Sequence, residues 1–314
     1  MNTLYLVIPC YNEEEVLDKT ASMLKSKLDA LKKHNKIHSS SKILFVNDGS
    51  VDKTWDIIKK LHEEDPIFCG INLSRNRGHQ NALLSGLMFV KEKADMVISL
   101  DADLQDDIEV IERFVDEYHK GFEIVYGVRS SRKKDSFFKR NSAQFFYKLL
   151  HLFGVETIYN HADYRLMSKR ALDYLSSFPE TNLFLRGIIP LLGLKYSVVE
   201  YVRHERFAGE SKYPLKKMLN FAWDGITSFS VKPIRFIASL GFIIFIVSLF
   251  VMLYTFVVKL FGYTEVGWTS LSVSIWMIGG IQLLSLGVIG EYIGKIYGET
   301  KRRPRYFISE TLVS

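Results

Sequence analysis

Met96-Val97-Ile98-Ser99-Leu100-Asp101-Ala102-Asp103-Leu104-Gln105-Asp106 is an apolar run of strand length that breaks off into carboxylates. A run rich in Val and Ile and stopped by polar residues reads as a buried strand that delivers its last residues to a loop. Similar runs lie on either side: Leu4–Pro9, Lys42–Asn47, Ile67–Leu73 and Glu123–Val128. Between them Glu14–Lys33, Lys53–Glu64, His79–Lys91 and Ile108–His119 carry Leu, Ile, Val and Phe at helical spacing. Strands alternating with helices of that length predict βαβ units, hence an α/β fold with a mostly parallel sheet and flanking helices. In such sheets ligands bind outside the carboxyl ends of the strands. Asp101 and Asp103 stand at one such end. There a hard cation, Mg²⁺ or Mn²⁺, takes oxygen ligands from one or two carboxylates and from substrate phosphates. An Asp-x-Asp can equally be a solvated turn leading into a helix; its place at a strand end is what raises it.

Two more strands end in polar turns. The first gives Pro9-Cys10-Tyr11-Asn12-Glu13-Glu14, the second Val46-Asn47-Asp48-Gly49-Ser50-Val51-Asp52. Asp48 is placed to accept a hydrogen bond from a base or ribose, Gly49 permits a tight turn, and Asp52 is placed to cap the next helix. One shared crevice explains three such turns better than three unrelated loops do.

The 314 residues carry a formal net charge of +6, and 47% of them are apolar. A basic balance suits nucleic acid, an anionic membrane surface or phosphorylated substrates. No nucleic-acid module is present, and the basic residues gather near the apolar runs, so membrane and phosphate are the expected partners. Cys10 and Cys69 have no metal-type spacing and read as reduced core residues. The chain opens directly on a strand-like run, with no cleavable signal expected.

The apolar residues are concentrated late. Phe236–Val258 runs without a charge, and Trp268–Ile289 is a second such run, each long enough to cross a bilayer. Lys232 and Arg235 precede the first; Lys295, Lys301, Arg302, Arg303 and Arg305 follow the second; the connection holds Lys259 and Glu265. The excess of basic residues on one side places both ends in the cytoplasm. Upstream, 136–153 and 213–230 read as basic, aromatic amphipathic helices suited to a membrane interface. The expected organisation is a cytoplasmic catalytic domain at 1–212, a juxtamembrane helix at 213–235, spans at 236–258 and 268–290 around an external loop at 259–267, and a basic cytoplasmic tail at 291–314. Small residues Gly279, Gly280, Ser285 and Gly287 are compatible with close helix approach and self-association.

Val7-Ile8-Pro9-Cys10-Tyr11-Asn12-Glu13-Glu14, Val46-Asn47-Asp48-Gly49-Ser50 and Asp101-Ala102-Asp103-Leu104-Gln105-Asp106 together resemble the signature series of glycosyltransferase family two, which has the GT-A fold. Ala162-Asp163-Tyr164-Arg165-Leu166-Met167 resembles that family's acceptor-side Asp motif. Arg203-His204-Glu205-Arg206-Phe207-Ala208-Gly209-Glu210-Ser211-Lys212-Tyr213 resembles the Arg-x-x-Arg-x-x-Gly-x-Ser-Lys-Tyr segment of its polyprenyl-phosphate branch, to which bactoprenol glucosyltransferases and dolichol-phosphate mannose synthases belong. The resemblance implies that Pro9, Glu13, Asp48 and Asp101 hold the nucleotide, with uridine expected, and that Asp101, Asp103 and Gln105 surround the metal. It also implies an inverting transfer from a nucleotide-sugar to a polyprenyl phosphate such as undecaprenyl phosphate, with a flippase downstream. The absence of Gln-x-x-Arg-Trp disfavours the processive branch, and the absence of Gly-x-Gly-x-x-Gly argues against a dinucleotide oxidoreductase.

The acceptor dianion needs its own cations, and Arg129, Arg140, Arg206 and Lys212 are the candidates. Asp163 is the harder residue. A phosphate monoester has a second pKa of about 6 and hardly needs a base. A carboxylate beside it would repel it unless paired, with Arg165 the candidate partner. Asp163 is therefore expected to orient the acceptor site, and becomes a necessary base only if the acceptor is a hydroxyl of a lipid or glycan. A non-catalytic membrane scaffold would predict a damaged metal site, yet Asp48, Asp101 and Asp103 are all present.

Overall fold

The computed structural model describes residues 1–129, 161–180, 184–203, 227, 231–260 and 267–313. The helices expected at 136–153 and 213–230 lie outside these residues, apart from Thr227, which is helical. The chain forms two compact units. The first comprises residues 1–147, 156–214 and 302–314, the second 148–155 and 215–301.

In the first unit β1 (Leu4–Cys10), α1 (Leu17–Lys33), β2 (Lys42–Asn47), α2 (Thr54–Glu64), β3 (Phe68–Leu73), α3 (His79–Val90), β4 (Met96–Ser99), α4 (Val110–His119) and β5 (Ile124–Arg129) alternate. They are followed by β6 (His161–Ser168), α5 (Lys169–Ser176), α6 (Leu185–Leu191) and β7 (Tyr196–Tyr201). After the second unit the chain returns as β8 (Ile308–Leu312). One eight-stranded sheet has the order β7-β5-β6-β4-β1-β2-β3-β8. β3, β2, β1 and β4 run parallel, β6 runs antiparallel between β4 and β5, and β8 pairs antiparallel with β3.

Side-chain alternation along the strands puts helices on both faces. Leu4, Leu6 and Ile8 of β1, with Ile43 and Phe45 of β2, share a core with Leu17, Ala21, Leu24 and Leu28 of α1 and Ile111 and Phe114 of α4. Val7 and Val46 point the other way, toward α3, where a Cβ on Gly86 would stand 2.5 Å from Val7 and 2.7 Å from Val46. Each buried Leu contributes about 1.5–3 kcal/mol. The chain leaves β1 for β2 on one side and β4 lies on the other, so the strand order reverses at β1. That switch point opens the crevice at the carboxyl ends of β1 and β4.

Two details differ from the sequence expectation. Helix α2 begins at Thr54, so Asp52 does not occupy its N-cap. Its Oδ1 instead accepts from the Thr54 N–H (3.1 Å) and hydroxyl (2.6 Å), while Oδ2 accepts from the Glu14 N–H, tying two strand-end turns together. Residues 308–312, expected as part of a basic tail, form β8, with Glu310 accepting from Trp55 Nε1 at 3.0 Å and pairing with Lys59 at 3.2 Å. In the second unit α7 (Lys232–Leu260) and α8 (Trp268–Thr300) are the two long helices. Among the described residues Met277–Thr300 is a stretch long and apolar enough to cross a membrane. Phe236, Phe242, Phe250 and Leu253 on α7 and Leu283, Leu284 and Leu286 on α8 are all more than half exposed, an apolar surface that water would not tolerate.

Candidate active site

The turns at the crevice are built on unusual backbone. Asn12, Gly49 and Leu104, following β1, β2 and β4, all have φ between 55° and 63°. Asn12 and Gly49 take that region readily, whereas Leu104 stores strain that tends to sit at functional sites. Asp103 holds this turn, its Oδ1 accepting the Gln105 N–H at 3.1 Å. At Gly49 an added Cβ would lie 2.5 Å from the Arg75 carbonyl carbon and the Asn76 nitrogen. Gly49→Ala is therefore expected to destabilise the protein by about 1–3 kcal/mol through backbone strain and displacement of this turn; denaturant titration against wild type measures it, and an unchanged midpoint would refute it.

Asp48, 3% exposed, uses both oxygens on that turn: Oδ1 accepts from the Arg77 N–H at 2.7 Å and Oδ2 from the Gly78 N–H at 2.9 Å. Burial raises its carboxyl above the usual value, against the pull of those amides and of His79. The turn leads through Gly78, with φ 84°, into α3, whose first residue is His79. The His79 Nε2 lies 3.6 Å from Asp101 Oδ1 and 3.8 Å from Asp163 Oδ2. His79 thus stands between two carboxylates that are far apart in sequence.

Asp163 reaches the crevice because β6 runs against β4. Ser99 is opposite Arg165, and the Ser99 hydroxyl donates to the Asp163 carbonyl at 2.6 Å. Its carboxylate is locked between two guanidinium groups. Arg165 Nη2 donates to Oδ1 at 2.5 Å, and Arg186 grips both oxygens, Nε to Oδ1 at 3.1 Å and Nη2 to Oδ2 at 2.9 Å. Arg186 sits on α6, which is fixed here by the Leu185 N–H donating to Gln80 Oε1 at 2.8 Å. Burial would raise the Asp163 carboxyl, but Arg186 and Arg165 overcome it and hold it well below the usual carboxylate range. Such a group is a poor general base.

Of the expected residues, Asp101 is one-third exposed in the crevice, Asp103 and Asp106 are buried in the loop beyond it, and Gln105 is half-buried between them. Pro9 is buried in β1, Glu13 follows it with its N–H donating to Thr54 Oγ1 at 2.9 Å, and Arg129 ends β5. Arg140, Arg206 and Lys212 lie outside the described residues. No group of three His, Cys, Asp or Glu side chains forms a ready-made metal cage among the described residues. His79 and Arg186 were not found from sequence. His79 obeys the strand-end rule that picked out the carboxylates, applied to β3; Arg186 carries no local signal.

A mostly parallel sheet that gathers carboxylates and guanidinium groups at its switch point defines an α/β enzyme for phosphorylated substrates. The chain belongs to glycosyl transferase family 2, whose profile matches residues 5–175. Residues 232–296 match the GtrB C-terminal hairpin. The uncharacterized glycosyltransferase YkoT of Bacillus subtilis is 55% identical over 97% of this chain and 90% of its own length. The bactoprenol glucosyl transferase of Shigella phage SfX is 41% identical over 96% and 97% of the two chains. The prophage bactoprenol glucosyl transferase homolog of Escherichia coli is 40% identical over 96% and 97%. Among solved structures, mannosyl-3-phosphoglycerate synthase from Rubrobacter xylanophilus aligns over 71% of both chains at 15% identity and a TM-score of 0.46.

Proposed function

We propose that the protein transfers a hexose from a UDP-sugar to a polyprenyl phosphate on the cytoplasmic face of a membrane, with inversion at the sugar. A phosphate oxygen of the lipid attacks the anomeric carbon. The bond from that carbon to the donor's β-phosphate oxygen breaks, and the electron pair leaves on the nucleoside diphosphate. Asp101, Asp103 and Gln105 would hold Mg²⁺ or Mn²⁺, which supplies positive charge for the leaving diphosphate. Pro9 and Glu13 flank the nucleotide, and Asp48 acts by fixing the turn at Arg77 and Gly78 that borders it. Arg129, with Arg140, Arg206 and Lys212, receives the acceptor phosphate.

The observation that carries the choice of acceptor is the clamp on Asp163. A hydroxyl acceptor needs a base, and the one carboxylate expected to serve is ion-paired twice and held far below the range where it would take a proton. A phosphate acceptor is already an anion and needs cations, which this clamp helps to arrange. The bactoprenol glucosyl transferases, similar along nearly the whole chain including the hairpin region, favour the same reading.

Two spans, with the catalytic unit and both flanks in the cytoplasm, are supported by β8. Residues 308–312 pair with β3 in the sheet of the first unit, the arrangement expected if any membrane crossings between them are even in number. Lys232 and Arg235 at the start of α7, and Lys301, Arg302 and Arg303 after α8, favour the cytoplasmic side for both ends.

The test is transfer of labelled sugar from a panel of UDP- and GDP-sugars to undecaprenyl phosphate, by full-length protein in detergent, with metal and with chelator. An acid-labile lipid product is expected with a UDP-hexose. Transfer to polyprenol or glycan hydroxyls, with none to the phosphate, would reject the acceptor assignment.

A further inference from the structure

The acidic loop after β4 and the basic end of β5 are joined through one hydroxyl. Asp106, 6% exposed, lies three residues beyond Asp103, and its Oδ1 accepts a 2.6 Å hydrogen bond from the Tyr201 hydroxyl. The Arg129 guanidinium lies close enough to that hydroxyl to interact with it electrostatically. The sheet dictates this meeting, since β5 and β7 run parallel with Arg129 directly opposite Tyr201. The Tyr201 ring is fixed independently of its hydroxyl. It stands edge-on to Tyr164 at 5.4 Å, and the Tyr164 hydroxyl donates to the Asp107 carbonyl at 3.0 Å. Neighbouring residues of the acidic loop are thus each held by a tyrosine.

Two features give this arrangement a meaning beyond packing. First, Arg129 and Arg203 each keep a buried Nε with no hydrogen-bond partner. A buried donor left unpaired is costly, and an anionic ligand is what guanidinium groups in this state would take. Second, Asp106 is the natural competitor for those cations. Its buried carboxyl lies within the field of Arg129 and Arg203. A direct Asp106–Arg129 ion pair would spend the cation on the protein's own carboxylate. The Tyr201 hydroxyl occupies Asp106 Oδ1 and lies beside the Arg129 guanidinium.

We propose that Tyr201 is a positioning residue: its hydroxyl, inserted between Asp106 and Arg129, holds the Arg129 guanidinium open for the acceptor phosphate and sets its spacing from the Asp101-x-Asp103 loop. This rests on the reading of a polyprenyl phosphate as acceptor. Removing the hydroxyl lets Asp106 capture Arg129, so the acceptor binds less well while the donor side is untouched.

The experiment is steady-state transfer to undecaprenyl phosphate by full-length Tyr201→Phe in detergent, beside Tyr201→Phe combined with Asp106→Asn. Phenylalanine keeps the ring contact with Tyr164. For Tyr201→Phe the acceptor KM is expected to rise about tenfold, the effect of losing one hydrogen bond to a charged group, with donor KM, UDP binding and melting temperature unchanged. Neutralising Asp106 in the same chain is expected to bring the acceptor KM back toward wild type, a rescue that a purely structural tyrosine would not give. An unchanged acceptor KM overturns the proposal, as does a parallel loss of UDP binding and melting temperature, or a double variant no better than the single. Wild-type protein that transfers nothing to undecaprenyl phosphate overturns the acceptor assignment itself, a separate result visible before any variant is made.

Discussion

Asp163→Ala is expected to lower the unfolding free energy by about 3–5 kcal/mol, the range for removing one partner of a buried ion pair. The reason is Arg165. It is 0% exposed on β6, its Nε and Nη1 are buried without partners, and Nη2 rests on Asp163. Without the carboxylate, one buried guanidinium loses its counter-charge and faces a second, Arg186, across the gap. Denaturant titration of the detergent-solubilised protein measures the loss, and a midpoint equal to wild type would show that the cluster does not hold the fold. The same cluster fixes a pH prediction. Because the folded Asp163 value is depressed, its stabilising contribution is fully present above the unfolded value near pH 4 and disappears only as pH falls through the lower folded value. Between about pH 5.5 and 8.5 Asp163 therefore does not titrate. An acid limb in kcat/KM near pH 6 would follow the lipid phosphate, whose second pKa is about 6. A limb that vanishes in Asp163→Asn would return the residue to the role of base.

Asp103→Ala is expected to reduce kcat on the order of 10²–10³-fold, since a bound cation contributes several kcal/mol to stabilising charge on the departing diphosphate. Asp103 also shapes its loop through the Gln105 N–H. Asp103→Asn is the sharper variant, because an amide oxygen can keep that hydrogen bond while the charge is lost. Both are expected to weaken calorimetric binding of UDP in the presence of Mn²⁺ while leaving the melting temperature near wild type. An Asp103→Asn protein that binds UDP and Mn²⁺ normally would shift the metal to Asp101 and the substrate alone.

What could be read from the sequence divides along a physical line. β1 to β5 and α1 to α4 lie within three residues of where their apolar spacing places them, because each buries a regular face and is bounded by turn residues. The position of Asp101 and Asp103 beyond the carboxyl end of β4 was legible because an apolar run that stops at carboxylates marks a strand end. β6 was not. His161-Ala162-Asp163-Tyr164-Arg165-Leu166-Met167-Ser168 carries a fully buried Arg that single-sequence reasoning assigns to solvent, and its strand identity depends on non-local partners in β4 and β5. β7 has one exposed face and takes its function from a register with β5 that no local pattern encodes. Arg186 and Tyr201 belong to the same class: their roles arise from what the sheet sets opposite them. Asp52 was misplaced for a smaller reason, since its carboxylate is shared with the Glu14 N–H and the helix begins one residue later.

Strand β8 also bears on how the molecule is made. Its Ser309 hydroxyl reaches the Asn72 carbonyl, 237 residues earlier, and Glu310 reaches Trp55, 255 residues earlier. A ribosome has therefore emitted both long helices before the edge of β3 can be covered. Until then β3 presents a row of unpaired N–H and C=O groups, the kind of edge that recruits other chains. Nascent chains interrupted anywhere between β3 and β8 would carry that sticky margin, so closure of the sheet is a check that only a polypeptide made to its last strand can pass.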